Sequence, residues 1–139
     1  MIPCNELRIG NQVLVDETLR KVSSISGTTV STIGSGNSPE AATERSINNI
    51  QPVPLTDDVL RQCGFVYHDY FKFWQLLTST AGLRSEMDID RDYDIIDFMR
   101  RPLIRKVASL HQLQNIYFML KGTELNFTEK QVPVMAGRN

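Results

Sequence analysis

Four aspartates at alternate positions, Asp88, Asp90, Asp92 and Asp94, are the first candidates for chemistry, because oxygen ligands at every second residue begin a calcium loop. The rest of such a loop is missing. Tyr93 stands where the sharp turn needs glycine, and Met99 where a bidentate glutamate should close the shell. Strand alternation explains the run more simply, with the aspartates on a wet face and Met87, Ile89 and Tyr93 on the other. Just beyond, Arg100, Arg101, Arg105 and Lys106 form a basic segment that could meet phosphate, as in a nucleic-acid-binding module. No glycine-rich phosphate loop accompanies them, and neutralising the preceding acidic run is the simpler role.

Cys63 and His68 could in principle form an activated thiol pair. Cys63 falls on the apolar face of its expected helix, where cysteine is usually inert packing. The other histidine, His111, lies near a helix start beside Gln112 and Gln114. There is no nucleophile elbow, no histidine pair at ligand spacing and no GxGxxG, so no enzyme, metal or cofactor is expected. The aromatic run Phe65, Tyr67, Tyr70, Phe71, Phe73 and Trp74 could stack bases, but such density on strands is more often core packing. Read as one strand, it puts Phe65, Tyr67, Phe71 and Phe73 on one parity and Tyr70 and Trp74 on the other. Tyr70 and Trp74, with Phe118 further on, are the expected protein-contact surface.

The elements that would position these residues are legible in outline. Residues 7–33 read as three short antiparallel strands separated by Asp16-Glu17 and Ser26-Gly27, rich in β-branched residues. Val13, Val15 and Val22 point to one face; the third strand offers either Thr29 with Ser31 or Val30 with Thr32. Residues 34–42 read as a Gly/Ser-rich surface loop, residues 44–50 as a fourth strand, and 51–54 as an extended proline connector. Thr56 then caps a short helix that Gly64 stops, with Asp57 and Asp58 at its positive end. Strands are expected across 65–77, 83–89 and 93–99, with a turn at 78–82 and a break at Arg100-Arg101-Pro102.

The clearest element is the helix beginning at Ser109. Ser109 and Gln112 read as a capping box; Leu110, Leu113, Ile116 or Tyr117, and Leu120 form an apolar stripe; Gly122 is the stop. Residues 126–139 read as a flexible tail.

Composition sets the bounds. A chain of 139 residues fits one domain or two small lobes sharing a core. The net charge of −1 gives no global case for nucleic acid or an anionic membrane. Two isolated cysteines, no export segment and no apolar run of about 20 residues lead to the expectation of a cytoplasmic protein.

Residues Leu110 to Leu125 resemble the signature "LHQLQNLYFALTGEEL" of uncharacterised small proteins of Bacteroidetes genomes and their prophages or mobile elements. Its companions are here in the same order: Leu7-Arg8-Ile9-Gly10-Asn11, then Pro52-Val53-Pro54-Leu55-Thr56 leading to Leu60-Arg61-Gln62-Cys63-Gly64-Phe65. The resemblance departs at 35–42 and 78–106, and implies kinship without an activity. Residues Ile9 to Val13, Val22 to Ile25 and Thr29 to Ile33 are similar to the opening of SH3-like small barrels of the KOW type, a fold that hosts many functions.

The expectation is therefore an α+β protein. An SH3-like β-meander over 1–51 precedes a lobe at 52–125, in which a short helix is followed by a second antiparallel sheet with the C-terminal helix packed on it. The leading functional expectation is a non-enzymatic interaction or accessory protein of phage or mobile-element origin, contacting another protein or a second copy of itself. A nucleic-acid-binding module using the basic segment is the alternative and an enzyme the third reading; neither a membrane nor a small-molecule substrate is expected.

Overall fold

The computed structural model describes residues 2–34, 42–77 and 85–128. Of the expected loop at 34–42 residues 35–41, of the expected tail at 126–139 residues 129–139, and the whole expected turn at 78–82 lie outside the described residues.

Five strands form the first sheet: β1 (Gln12–Val15), β2 (Thr18–Ser26), β3 (Thr29–Gly34), β4 (Thr43–Ser46) and β5 (Ile50–Gln51), in the order β4-β3-β2-β1-β5. All pairings are antiparallel, and the sheet curls into a half-barrel of SH3-like order. Asp16 and Glu17 both adopt left-handed φ, 51° and 63°, giving the two-residue turn whose twist suits a hairpin. A bulge between Val22 and Ser24 bends β2, the longest strand. Val13, Val15, Val22, Val30 and Ile50 fill the concave side with Ile2 and Leu7, so β3 turns Val30 and Thr32 inward. The expected fourth strand at 44–50 is interrupted. Ser46 caps a single 3-10 turn, Ile47–Asn49, and the chain then re-enters the sheet beside β1.

The second unit opens with α1 (Asp57–Gln62), where the Thr56 hydroxyl accepts the Val59 amide at 3.2 Å. A five-stranded meander follows: β6 (Val66–His68), β7 (Phe73–Leu77), β8 (Ser85–Asp90), β9 (Ile95–Ile96) and β10 (Pro102–Ile104), in sequential order. Two expectations are corrected here. Residues 65–77 are not one strand but a hairpin that turns at 69–72, and the basic segment does not end the sheet but supplies its last strand. α2 (Leu110–Lys121) packs on the inner face, and Leu60, Phe65, Trp74, Ile89, Leu110, Leu113 and Tyr117 share one core. The chain stays docked past residue 125: Phe127 packs on this core, and the Thr128 amide donates to the Gln62 carbonyl at 3.0 Å.

α2 departs from its sequence reading at both ends. The Ser109 hydroxyl makes no cap; it meets His111 Nδ1 at 3.0 Å, and Gln112 accepts the Ala108 amide rather than that of Ser109. The Leu110 amide instead donates to the Val53 carbonyl at 2.9 Å, so the proline connector satisfies the helix start. At the other end Leu120 is exposed; the buried stripe runs Leu110, Leu113, Gln114, Tyr117, with His111 beside it.

Those buried polar residues join the two sheets. The Gln114 Oε1 accepts the Gln12 amide at 2.9 Å, Asn115 Oδ1 accepts from Asn11 Nδ2 at 2.9 Å, and Asn115 Nδ2 donates to the Glu6 carbonyl at 2.7 Å. His111 is 2% exposed, with Nε2 3.3 Å from a Glu6 carboxylate oxygen. Burial pulls its pKa below the ordinary 6.5, against the upward pull of Glu6. The ring is therefore neutral at pH 7. Because the carboxylate only accepts, Nε2 carries the proton and Nδ1 accepts from Ser109.

A histidine held below its unfolded value stabilises the fold above about pH 6.5 and loses that contribution as pH falls through the folded value. Urea melts from pH 7 to pH 5 are expected to show this loss, at most about 1.4 kcal/mol per pH unit for one proton. His111→Gln is expected to shrink the acid slope, and an unchanged slope would contradict a neutral buried ring.

Candidate functional site

The residues singled out for chemistry are mostly occupied by structure. Asp90 Oδ1 accepts the amides of Asp92 and Asp94 at 2.9 and 3.0 Å, closing the β8–β9 turn, and buried Asp94 accepts the Lys106 amide at 2.7 Å. Among the described residues no three His, Cys, Asp or Glu side chains converge as a metal would need. Burial pushes the Cys63 thiol up to about 12, so it holds its proton at neutral pH. His68 turns away to Gln75, at 2.6 Å, and stacks on Phe73.

The four cations of the basic segment are separated. Arg100 Nη1 donates to the Phe71 carbonyl at 2.7 Å, and its guanidinium sits 5.4 and 5.0 Å from the Phe71 and Phe73 ring centres. Arg101 pairs with Asp97 at 3.0 Å, and Arg105 lies 3.8 Å from Asp94. The Arg101 amide chiefly, with its guanidinium and the Met99 amide, holds the Asp97 carboxyl below its usual range despite an opposing desolvation effect. Arg105 and Lys106 line a different hollow with Glu6, Gln112 and Ile116.

The aromatic residues divide cleanly. Trp74, expected at a contact surface, is 3% exposed and belongs to the core, 5.0 Å from Tyr67 across the hairpin. The turn at 69–72 resets strand parity, which puts Tyr67 and Trp74 inward and Phe73 outward. Tyr70 is 87% exposed. Phe118 is only partly open, because the Arg8 guanidinium lies 4.4 Å over its ring and is itself fixed by Asn115 and Glu124.

What the structure does gather is an outer face on the second sheet. His68, Phe73, Phe71 and Tyr70 make a chain of ring contacts with centroid separations of 5.2, 6.4 and 4.9 Å. Arg100 draws the β9–β10 link against them, leaving a hollow of about 330 Å³ walled by Phe71, Phe73, Ile96, Phe98, Asp88 and Arg100. Phe98 is 88% exposed, and Met99 and Leu103 stand beside it in sequence, largely open. Sequence reasoning missed all three, although apolar residues on both sides of Arg100-Arg101-Pro102 are the pattern of a hairpin with an apolar tip. No protein-family model, curated protein or solved structure matches the chain. No helix among the described residues is long and apolar enough to cross a membrane.

Proposed function

We propose that this protein is a non-enzymatic interaction module that works through protein contacts made by the outer face of its second sheet. The carrying observation is the exposure of Tyr70, Phe71, Phe98, Met99 and Leu103 on adjoining turns and an edge strand. Large apolar groups gathered in this way mark contact sites rather than ordinary surface. The charges around them have both signs: Lys72, Arg100 and Arg101 against Asp69, Asp88 and Asp97. A nucleic-acid surface needs unbalanced positive charge, and here Arg100 and Arg101 already have partners.

A mixed-sign rim around an apolar centre suits a two-fold contact, in which each patch meets its own copy. The partner in this reading is therefore a second copy of the chain. The signature residues of α2 support an accessory protein of phage or mobile-element origin, and the buried, free Cys63 fits a reducing cytoplasm. Light scattering over a concentration series tests the contact. The wild type is expected to reach twice the monomer mass at about 100 μM, a typical range for a small interface. Phe98→Asp is expected to stay monomeric with an unchanged melting temperature, since its ring is exposed. A monomeric wild type at every concentration would defeat the self-association reading.

A further inference from the structure

A cleft of about 530 Å³ lies where α1 meets two hairpin turns, and nothing above uses it. Arg61 comes from α1, Tyr67 and Trp74 from β6 and β7, Lys72 from the turn between them, and Arg91 with Tyr93 from the β8–β9 turn. Three cations thus converge from three elements, with Tyr67 and Tyr93 half-buried beside them and Trp74 buried beneath Arg61. The remaining lining residue, Asp57, accepts the Tyr93 hydroxyl at 2.7 Å and sets one negative charge against the three positive ones. Arg61 lies 5.2 Å over the Trp74 ring and shares Asp58 at 3.0 Å. The Lys72 ammonium and the Arg91 guanidinium make no hydrogen bond or ion pair with the described residues. Lys72 and Tyr93 are both in the left-handed region, with φ of 61° and 64°. That costs on the order of 1 kcal/mol at each, and both strained positions present their side chains to the same cleft.

We infer that this cleft binds a free small molecule in which a phosphate is esterified to a flat ring. The phosphate would lie between Lys72 and Arg91, with Arg61 at the side, where charge-assisted hydrogen bonds to two or three cations are available. The ring would lie against Tyr67 and Tyr93, where an apolar or π surface has something to cover. The volume is that of an ordinary small-ligand pocket. Two unpaired cations alone would accept any anion; the partly exposed rings of Tyr67 and Tyr93 are the surface that would favour a ring. The inference does not rest on the contact face, which shares only Lys72, at its rim, with the cleft.

Trp74 is the only tryptophan, so its emission reports on the cleft directly. Phenyl phosphate titrated into the full chain is expected to change that emission saturably, with a dissociation constant of about 1 mM or tighter. Inorganic phosphate is expected to bind about tenfold more weakly, and phenol not to saturate. Lys72→Met and Arg91→Met each are expected to weaken phenyl phosphate binding about tenfold. Both side chains are exposed, so thermal melts of these variants should match the wild type. Phe98→Asp, outside the cleft, is expected to bind as the wild type does. Three results would each overturn the inference: no saturable change at about 10 mM, well beyond that range; equal affinity for inorganic phosphate; or wild-type binding by both methionine variants.

Discussion

Trp74→Ala is expected to destabilise the protein by about 3–5 kcal/mol, the usual cost of deleting a large aromatic from a core. The ring is almost wholly enclosed, touching Tyr67 across the hairpin and sharing the core with Phe65, Leu60 and Leu113. Removing it leaves a void that β7 and α2 are too well fixed to close. Tyr70→Ala, four residues away, is expected to change stability by less than about 0.5 kcal/mol, because its ring is almost fully in solvent. Urea denaturation of the two variants separates core from surface in one experiment. Comparable costs would mean that the hairpin register assigned to 66–77 is wrong.

Gln114→Leu is the second large effect, expected at about 2–3 kcal/mol although it adds apolar surface at a buried site. Gln114 Oε1 accepts the Gln12 amide at 2.9 Å and lies 3.5 Å from Asn11 Nδ2, while its Nε2 faces the Gly10 carbonyl at 3.5 Å. Leucine takes these partners away without letting water in to replace them. The loss falls on the joint between the sheets, so the first sheet should loosen before the second. Hydrogen exchange should rise across β1 and β5 more than across β7 and β8. Uniform acceleration would show that Gln114 stabilises the whole fold rather than the joint. Gln114→Glu does not restore the wild type, since it loses the Nε2 donor and buries a charge.

These two residues also show what could be read from the chain. The meander of the first sheet was legible because Val13, Val15 and Val22 alternate and the turns fall at Asp16-Glu17 and Ser26-Gly27. The two helices were legible from Thr56, Gly64 and Gly122 and from the spacing of Leu110, Leu113 and Tyr117. Parity within the second sheet was not. Its described turns run through Lys72, Tyr93 and Arg100, all with left-handed φ and none a glycine or asparagine. Without those signals 65–77 looked like one strand, and Phe73 and Trp74 were assigned to the wrong faces, whereas Met87 and Ile89, read from alternation in their own strand, do face the core. Trp74 was misplaced for that reason, and β10 was missed altogether.

The start of α2 was hidden differently. Its first amide is satisfied by Val53, more than 50 residues earlier, so Ser109 and Gln112 could not reveal it. The polar joint was invisible as well, because Gln114 and Asn115 look like solvent-facing residues until the first sheet is laid against them.

The outer face of the second sheet, and no other surface, is the one proposed to make the protein contact. The rival is the exposed end of α2, where Met119 and Leu120 stand clear of the core. Amide chemical shifts followed from dilute to concentrated protein decide between them. Concentration-dependent shifts or broadening are expected to be confined to residues 69–73, 97–104 and their neighbours on β7 and β8, with 116–122 unmoved. Shifts centred on Met119 and Leu120, or none at any concentration, would contradict that proposal.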